Sequence, residues 1–382
     1  MMKRYDVVIV GGGLAGLSAA YEASVNGLKT LIIEKKPEIG HIYKSSGGIA
    51  HYFATLIESQ FTKKSRPTNF IRQAIESNIR FAKIHAGDKE LVIRPEEGCL
   101  GYVVDHREVE KKLAESAKSE GCEIHVGEKA VDFKVNKLYT SKNVYEYKSL
   151  IVADGCFGDI SKKVVGIPKP EDIHLCIEYW VKAPGDETLH LFFKPYCPKG
   201  YIWVFPAKEY VKIGCGMPIS EKPRLKKVLR KFVKEHPEFW GEIISVHGGS
   251  VPTAPPLPHV VHEDIALVGD AARTVNAATG GGIQFAMMSG AAAARAAWIG
   301  NLEWYDDWYR NLLYPKLKTW YRVKRILYRL TPKDLGYILG RFGDVYEVEP
   351  DINPTNEIVK ILKNIILSPR IMLKIWKAVV RT

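Results

Sequence analysis

The 382-residue sequence predicts an α/β protein, α+β overall, in which a parallel-sheet nucleotide domain is joined to a β-sheet domain and a helical C-terminal segment. Three observations predict this. A buried strand, YDVVIV, runs into a glycine turn and a helix. A second strand, IALV, runs into another glycine-rich turn and a helix of small residues. Between them lie β-rich runs such as LCIEYWVKA and TLHLFFK.

The first turn has the spacing GxGxxG. Gly11 allows the tight turn, Gly13 allows the backbone to approach a pyrophosphate, and Gly16 allows the helix to pack closely on the strand. The N-terminus of that helix offers free N–H groups to phosphates. The next strand ends at Glu34, whose carboxylate can accept hydrogen bonds from an adenosine ribose. This pattern predicts a Rossmann-type dinucleotide site, and by itself it fits NAD and FAD equally.

The second motif, GDAARTVNAATGGGIQFAMMSG, places Asp270 just after a strand and Gly281-Gly282 at the start of a helix. Such an aspartate can hold the ribityl hydroxyls of a flavin, and the N-terminus of the helix can stabilise negative charge on the reduced ring. A purely structural helix entry is the alternative for this motif taken alone.

Together the two motifs resemble the glutathione-reductase-like FAD superfamily, in the branch shared by aromatic hydroxylases and geranylgeranyl reductases. The resemblance extends to about Trp308, and FAD is the cofactor that it implies. It places Arg107 and Asp154-Gly155 at the FAD, and a strand over Gly127–Phe133 beside the adenine. The cofactor-binding residues that the motifs and the resemblance together imply are Gly11, Gly13, Ala15, Gly16, Glu34, Lys35, Ser45, Ser46, Gly48, Arg107, Ala130, Val131, Asp154, Gly155, Asp270, Gly281, Gly282 and Ile283.

The phrase KGYIWVFPAKEYVKIGCG resembles the YxWxFP motif of geranylgeranyl reductases. Tyr201, Trp203, Phe205 and Pro206 take the matching places. We interpret the aromatic residues as lining of an apolar substrate site, and core aromatics on alternating strand positions are the alternative.

Two departures from the family pattern concern the catalytic motifs, and Ala277 stands where these reductases commonly place a proline. Ser45 stands where these reductases carry a cysteine, and Gly158 stands where the ADGxxS serine would fall. A hydroxyl cannot perform thiolate redox chemistry, so the resemblance supports FAD binding more firmly than a catalytic mode. The candidates for catalysis are Ser45, His51, Tyr201 and Trp203. His41 is a further candidate proton source beside the flavin loop, the segment around Ser45, Ser46 and Gly48 that is expected to approach the flavin. No His or Cys spacing indicates a metal site.

The motifs divide the chain into three regions. The expected FAD-binding domain is discontinuous and comprises 1–58, 104–167 and 259–308. The segments 59–103 and 168–258 are expected to form the substrate-binding sheet domain. A basic amphipathic helical region is expected over 309–382.

The charge of the chain is concentrated at its C-terminal end. The sequence has 55 Lys and Arg against 43 Asp and Glu, a formal net charge of +12, and Arg310 to Thr382 carry 15 of these cations against 6 acids. This region is either a helical cap on the core or a surface for anionic lipid, with Trp320 and Trp376 at headgroup depth. No nucleic-acid motif accompanies the charge.

The expected location is the cytoplasm, with association to the inner face of the cell membrane as a further hypothesis. The six cysteines form no CxxC pair, and no signal-peptide pattern is seen. No stretch of about twenty apolar residues predicts a spanning helix.

The resemblance implies an FAD-dependent oxidoreductase that reduces carbon–carbon double bonds of geranylgeranyl or polyprenyl chains in membrane-lipid metabolism. Its expected partners are an isoprenoid or lipid substrate and an electron donor, either ferredoxin or NAD(P)H. One alternative is an FAD monooxygenase that acts on an aromatic or quinone-like substrate. A flavin electron-transfer module without its own substrate site is the other.

Overall fold

The computed structural model describes residues 3–43, 45–62 and 67–349. Its strands are β1 (Arg4–Val10), β2 (Thr30–Glu34), β3 (Gly48–Ala50), β4 (Ile75–Ile79), β5 (Phe81–Ala86), β6 (Lys89–Pro95), β7 (Gly101–Val104), β8 (Glu123–Val126), β9 (Ala130–Lys134), β10 (Lys137–Thr140), β11 (Val144–Val152), β12 (Ile173–Lys182), β13 (Thr188–Phe193), β14 (Tyr201–Pro206), β15 (Val211–Pro218), β16 (Glu242–Pro252), β17 (Val261–His262), β18 (Ile265–Leu267) and β19 (Val345–Val348). Its helices are α1 (Leu14–Val25), α2 (His51–Ser59), α3 (Pro67–Gln73), α4 (His106–Ser119), α5 (Ser161–Val165), α6 (Leu225–Glu235), α7 (Ile283–Trp298), α8 (Glu303–Leu312), α9 (Tyr314–Leu327) and α10 (Pro332–Leu339).

The first sheet has the order β17-β18-β11-β1-β2-β8, with β10 and β9 attached to β11. The run from β18 to β8 is parallel. Strands β1 and β2 are almost entirely buried, as their continuous apolar sequences predict for strands covered on both faces. Because the strands are parallel, their carboxyl ends meet at one edge of the sheet, where doubly wound folds bind ligands.

Helices α1 and α7 pack directly on each other against this sheet. A β-carbon on Gly290 of α7 would lie 2.1 Å from the carbonyl oxygen of Ala15 in α1. A β-carbon on Gly16 would lie 2.0 Å from the carbonyl oxygen of Gly11. These two glycines therefore permit the close packing that brings the N-terminal ends of both helices to the same edge of the sheet.

The second large sheet has the order β16-β12-β15-β14-β13-β5-β6-β19, and a small sheet has the order β3-β7-β4. The predicted runs LCIEYWVKA and TLHLFFK form β12 and β13, which confirms the expected β-rich region. The apolar side of α6 packs on β15 and β12. The two large sheets agree with the predicted fold class, in which a parallel-sheet nucleotide domain is joined to a β-sheet domain.

The prediction of a single strand over Gly127–Phe133 is wrong in its bounds. Strand β8 ends at Val126 and β9 begins at Ala130, because the chain turns through Gly127 at a positive φ of 63°. Only the second half of the predicted strand is extended.

The C-terminal region differs from the helical expectation in one element. Helices α8, α9 and α10 are followed by strand β19, which pairs in parallel with β6 and extends the second sheet. Its four residues, VYEV, alternate between exposed and half-buried, and the strand lies at the edge of this sheet. The part of the predicted amphipathic helical region from 350 to 382, which includes Trp376, lies outside the described residues.

Trp320 contradicts the headgroup-depth prediction, since it is only 4% exposed and packed in the interior. Across the part of the chain that the structure describes, no helix has both the length and the apolar character needed to cross a membrane.

Candidate active site

A cavity of about 410 Å³ opens at the carboxyl ends of β1, β2, β11 and β18. The N-terminal residues of α1 and α7 line it from both sides. This is the position at which the parallel sheet and the two helix dipoles favour an anionic dinucleotide.

The glycine turn between β1 and α1 is built around contacts that no larger residue would allow. Gly11 has a φ of +106°, and a β-carbon there would lie 2.3 Å from the carbonyl oxygen of Ala153. The Glu34 carboxylate accepts hydrogen bonds from the backbone N–H of Gly12, at 2.6 Å, and of Lys36, at 2.8 Å. Glu34 therefore fixes the turn in addition to facing the cavity.

Asp154 follows β11 and lines the same cavity. Its Oδ2 accepts hydrogen bonds from the backbone N–H groups of Ile160 and Ser161, whereas its Oδ1 is buried without a hydrogen-bond partner among the described residues. A β-carbon at Gly158 would overlap this carboxyl group, 1.9 Å from Cγ. The departure from the ADGxxS pattern thus has a local reason, because a serine at 158 would displace Asp154. Burial raises the pKa of Asp154 above its ordinary value.

Asp270 lies in a short 3₁₀ turn after β18 and lines the cavity opposite the glycine turn. A β-carbon on Gly282, the residue that precedes α7, would lie 3.7 Å from Oδ1 of Asp270. Burial, and then the charge of Asp270, raises the pKa of Cys156 to about 12, so this thiol is protonated at neutral pH. The aspartate and the N-terminus of α7 therefore lie next to each other at this cavity, and their roles toward the flavin stay predictions.

The structure brings most of the predicted cofactor residues to this cavity. Those that line it are Gly11, Gly13, Ala15, Glu34, Lys35, Ser45, Ala130, Asp154, Gly155, Asp270, Gly282 and Ile283. Gly16, Ser46, Gly48, Arg107, Val131 and Gly281 are not among the lining residues.

Two of these six have evident other placements. Val131 is 40% exposed on β9, one residue beyond Ala130. The guanidinium carbon of Arg107 lies 4.3 Å from the ring centre of Tyr43. Arg107 is adjacent to His106, which does line the cavity. The role of Arg107 in binding the cofactor stays a prediction.

The residues present fit FAD. The turn leaves no room for side chains where a pyrophosphate would approach, and the Glu34 side chain lines the cavity where the ribose is expected. When bound, FAD supplies hydride-transfer chemistry, and the protein positions it.

A second, larger cavity of about 1020 Å³ lies against the first. Val251 and Gly280 line both cavities and form the boundary between them. The larger one is bounded by β12, β14 and β15, by the segment Ala277–Gly280, and by residues of α9 and α10. A molecule held there would lie next to whatever occupies the nucleotide cavity.

The YxWxFP aromatics occupy successive positions on one face of β14. Tyr201 and Trp203 line the larger cavity, with ring centres 5.7 Å apart, and Tyr201 donates a hydrogen bond to the carbonyl of Thr279. The third aromatic, Phe205, packs on the flavin loop, where a β-carbon on Gly48 would lie 2.5 Å from its ring. The lining interpretation therefore holds for two residues, and Phe205 supports the loop.

Glu178 of β12 connects the second sheet to the segment before β3 through hydrogen bonds that the sequence did not predict. Its carboxylate accepts the indole N–H of Trp203 at 2.8 Å and that of Trp180 at 2.9 Å. The Ser46 hydroxyl donates to the same carboxylate. Lys212, fully buried, donates to the carbonyl oxygen of Ser46 at 3.1 Å. Ser46 therefore holds the flavin loop to the second sheet.

Neither of the predicted candidates His41 and His51 is among the described residues that line the two cavities. His51 begins α2, with its ring centre 5.8 Å from that of Tyr102. His41 lies 3.3 Å from the exposed Glu38. Ser45 lines the nucleotide cavity, where its hydroxyl accepts the N–H of Gly47 at 3.1 Å.

Several cavity residues were missed at the sequence level. These are His174 and Cys176 of β12, Thr253 after β16, and Lys324 and Tyr328 at the end of α9. The spacing i, i+4 of Lys324 and Tyr328 could have indicated a shared helix face, but it was interpreted only as part of a basic helix.

Comparison with known proteins agrees with this geometry. Residues 6–77 match the model of an FAD binding domain, and residues 172–251 match that of a geranylgeranyl reductase catalytic domain. A digeranylgeranylglycerophospholipid reductase of Picrophilus torridus is 32% identical over 321 residues, covering 78% of both chains. One of Methanococcus aeolicus is 28% identical over 373 residues, covering 90% of this chain and 92% of the relative.

A solved structure is also similar over the whole chain. It is a geranylgeranyl bacteriochlorophyll reductase-like protein from Thermoplasma acidophilum, with a TM-score of 0.85 and 25% identity. The match covers 99% of this chain and 100% of that one.

Proposed function

The chain belongs to the geranylgeranyl reductase family of FAD-dependent oxidoreductases, and from this we propose that it hydrogenates the geranylgeranyl chains of a digeranylgeranylglycerophospholipid. The observation that carries the proposal is the cavity of about 1020 Å³ that meets the nucleotide cavity at Val251 and Gly280. An alkene held there lies beside the cofactor, as transfer of hydride to a carbon requires.

The walls of the cavity suit a polyprenyl chain. Tyr201 and Trp203 present aromatic surface, and Phe193, Leu327 and Leu335 add apolar surface. The Trp203 indole N–H is already satisfied by Glu178, so the polar edge of the ring needs no partner from the ligand. These residues orient an apolar chain and exclude water from the reacting carbons.

The same cavity carries cations for an anionic headgroup. Lys194, Lys199, Lys231 and Lys333 line it. Lys194 and Lys231 lie 3.3 and 4.0 Å from the same Glu235 carboxylate, and Lys199 bonds Glu221. We propose that a phosphate group binds on this side while the prenyl chain extends toward Gly280.

The test compares substrates under anaerobic conditions with a reduced viologen dye as the electron source. We expect the phospholipid with geranylgeranyl chains to give products heavier by whole pairs of hydrogen atoms, measured by mass spectrometry. The phospholipid with saturated chains is the control. Oxygenated products from an aromatic or quinone-like compound in air, with no saturation of the lipid, would support the monooxygenase alternative instead.

Association with a membrane surface is part of the proposal. A net charge of +12 and exposed cations such as Lys318 and Arg322 on α9 support binding to anionic lipid. Flotation with anionic vesicles should carry the protein upward, and neutral vesicles should carry less. Equal recovery with both vesicle types would contradict the electrostatic contribution.

The electron donor is proposed to be either ferredoxin or NAD(P)H. Each is to be offered separately to the oxidised holoprotein without oxygen. Bleaching of the flavin absorption identifies the donor that transfers electrons, and failure of both would exclude these two.

A further inference from the structure

A connected group of polar side chains lies in the larger cavity and is not used by the cofactor site. The hydroxyl of Tyr328, the residue that follows α9, lies 2.9 Å from Nε2 of His174 on β12. Nδ1 of His174 lies 2.8 Å from the Thr253 hydroxyl, which follows β16. All three residues line the cavity.

Buried charges hold this group in place. The Lys324 ammonium, 2% exposed, donates to Oδ1 of Asp172 at 2.7 Å and to the carbonyl oxygen of Thr253 at 2.8 Å. The same ammonium lies 4.9 Å from the centre of the Tyr328 ring. Helix α9 is therefore anchored to the second sheet at the point where Tyr328 meets His174.

Strand register places this group next to the boundary with the nucleotide cavity. His174 of β12 is the direct partner of Val251 of β16, and Val251 lines both cavities. Side chains of directly opposed residues in an antiparallel pair project from the same face of the sheet. The imidazole therefore projects from the same side as the side chain that separates substrate from cofactor.

Saturation of an alkene needs a proton as well as a hydride, and among the described hydroxyl groups of the larger cavity that of Tyr328 meets an imidazole, which can return a proton to it. The Tyr201 hydroxyl donates to the Thr279 carbonyl, and the Trp203 N–H donates to Glu178. Burial raises the pKa of both the Cys176 thiol and the Tyr328 hydroxyl, so each keeps its proton at neutral pH. Burial also lowers the pKa of His174 to about 4, so its ring is neutral at pH 7 and can give a proton at one nitrogen while receiving one at the other.

We propose that Tyr328 is the catalytic acid of the reduction and that His174 is the positioning residue that orients and reprotonates it. This inference rests on the proposed function. The Tyr328 O–H bond breaks as a C–H bond forms at one alkene carbon, while the hydride supplied by the reduced flavin bonds to the other. The proton that leaves Tyr328 is replaced through His174, and solvent is the final source, so each turnover consumes one hydride and one proton.

The test uses the FAD-loaded protein with Tyr328→Phe, which keeps the ring and removes only the hydroxyl. Tyr321→Phe is the matched control, because Tyr321 lies on α9 and does not line the cavity. We expect single-turnover oxidation of the reduced Tyr328→Phe protein by geranylgeranyl phospholipid to slow about 100-fold. Its flavin spectrum and the binding of the saturated lipid should be unchanged.

The stereochemistry of the product gives a readout that a packing defect would not change. In D₂O the wild-type protein and Tyr321→Phe should place deuterium on one face of the protonated carbon, as seen by NMR. Tyr328→Phe should give a mixture of both faces, because water then reaches the carbon without direction. His174→Gln should slow turnover similarly and serves as the second variant if Tyr328→Phe does not fold.

Two outcomes separate this inference from the proposed function. If wild-type protein reduces the lipid and Tyr328→Phe does so at a rate within threefold and with one stereoisomer, the inference is overturned and the function stands. If no geranylgeranyl lipid reoxidises the reduced flavin of the wild-type protein, both the inference and the proposed function fail.

Discussion

Glu34 acts on the cofactor site in two ways at the scale of a single residue. Its carboxylate accepts the N–H groups of Gly12 and Lys36 and lines the nucleotide cavity. Hydrogen bonds to a charged group contribute about 1.5–3 kcal/mol. We therefore expect Glu34→Ala to weaken FAD retention by roughly 10- to 100-fold.

The measurement for this prediction is FAD release during ultrafiltration at a series of protein concentrations. Glu38→Ala is the control, because Glu38 is an exposed carboxylate four residues further along the chain. If Glu34→Ala retained as much FAD as Glu38→Ala after the same ultrafiltration, Glu34 would hold neither the turn nor the ribose.

His174 also predicts how stability depends on acid. Burial lowers its pKa from 6.5 to about 4, so the folded state resists protonation that the unfolded chain accepts. The stability that this residue contributes is complete above pH 6.5 and is lost as the pH falls toward 4. Between pH 7 and pH 4, the free energy of unfolding should fall by up to roughly 3 kcal/mol more for the wild-type protein than for His174→Gln.

Urea denaturation of the two proteins at a series of pH values measures this difference. His41→Gln is the matched control, because His41 is exposed, and it should follow the wild-type curve. Parallel curves for wild type and His174→Gln would contradict the buried, neutral imidazole.

Residues near one another in the sequence were predicted well, and residues that meet through the fold were not. Gly11, Gly13 and Glu34 belong to a single strand–turn–helix–strand unit, so their spacing already contains their geometry. The pairing of Tyr328 with His174 joins positions 154 residues apart, and no local spacing reports it. The sequence predicts either Ala130 or Val131 as the contact with the adenine. Neighbouring residues of a strand point to opposite faces, and the sequence does not show which face of β9 meets the cofactor.

At the scale of an element, β14 and β15 depend on one glycine. A β-carbon on Gly214 of β15 would lie 2.3 Å from the Trp203 indole of β14, so the ring rests directly on the neighbouring backbone. We expect Gly214→Ala to push Trp203 into the substrate cavity and to lower stability by about 1–3 kcal/mol. Lipid reduction should fall while FAD remains bound.

Thermal unfolding, flavin content and lipid turnover of Gly214→Ala test this expectation. Gly340→Ala is the control, since a β-carbon there would lie no closer than 3.6 Å to another atom. Unchanged turnover in Gly214→Ala would indicate that the position of Trp203 does not shape the substrate site.

Whether a segment forms a helix or a strand could be predicted where its residue pattern was continuous. The residues at which it begins and ends could not be predicted. The strands β1 and β2 and the helix α7 are long apolar or small-residue runs, and all three were predicted. Strand β19 was missed because its four residues gain their stability from pairing with β6, some 250 residues earlier.

At the scale of the whole molecule, one loop joins the two sheets at the site. Ser46 bonds to Glu178 of β12, and its carbonyl receives Lys212 of β15. The first sheet thus supplies the nucleotide cavity, the second supplies most of the larger cavity, and Val251 and Gly280 form their common boundary. The motifs predicted each layer, but the boundary depends on how β12 and β16 align and could not be inferred from either motif.

The measurement that tests the central claim most directly follows the flavin itself. The holoprotein is reduced with dithionite without oxygen, and digeranylgeranylglycerophospholipid is then added while the visible spectrum is recorded. The structure predicts that the oxidised flavin absorption returns, with one pair of hydrogen atoms gained by the lipid for each flavin oxidised. A flavin that stays bleached with the lipid, and recovers only when oxygen is admitted, would contradict the assignment of the larger cavity to a prenyl chain.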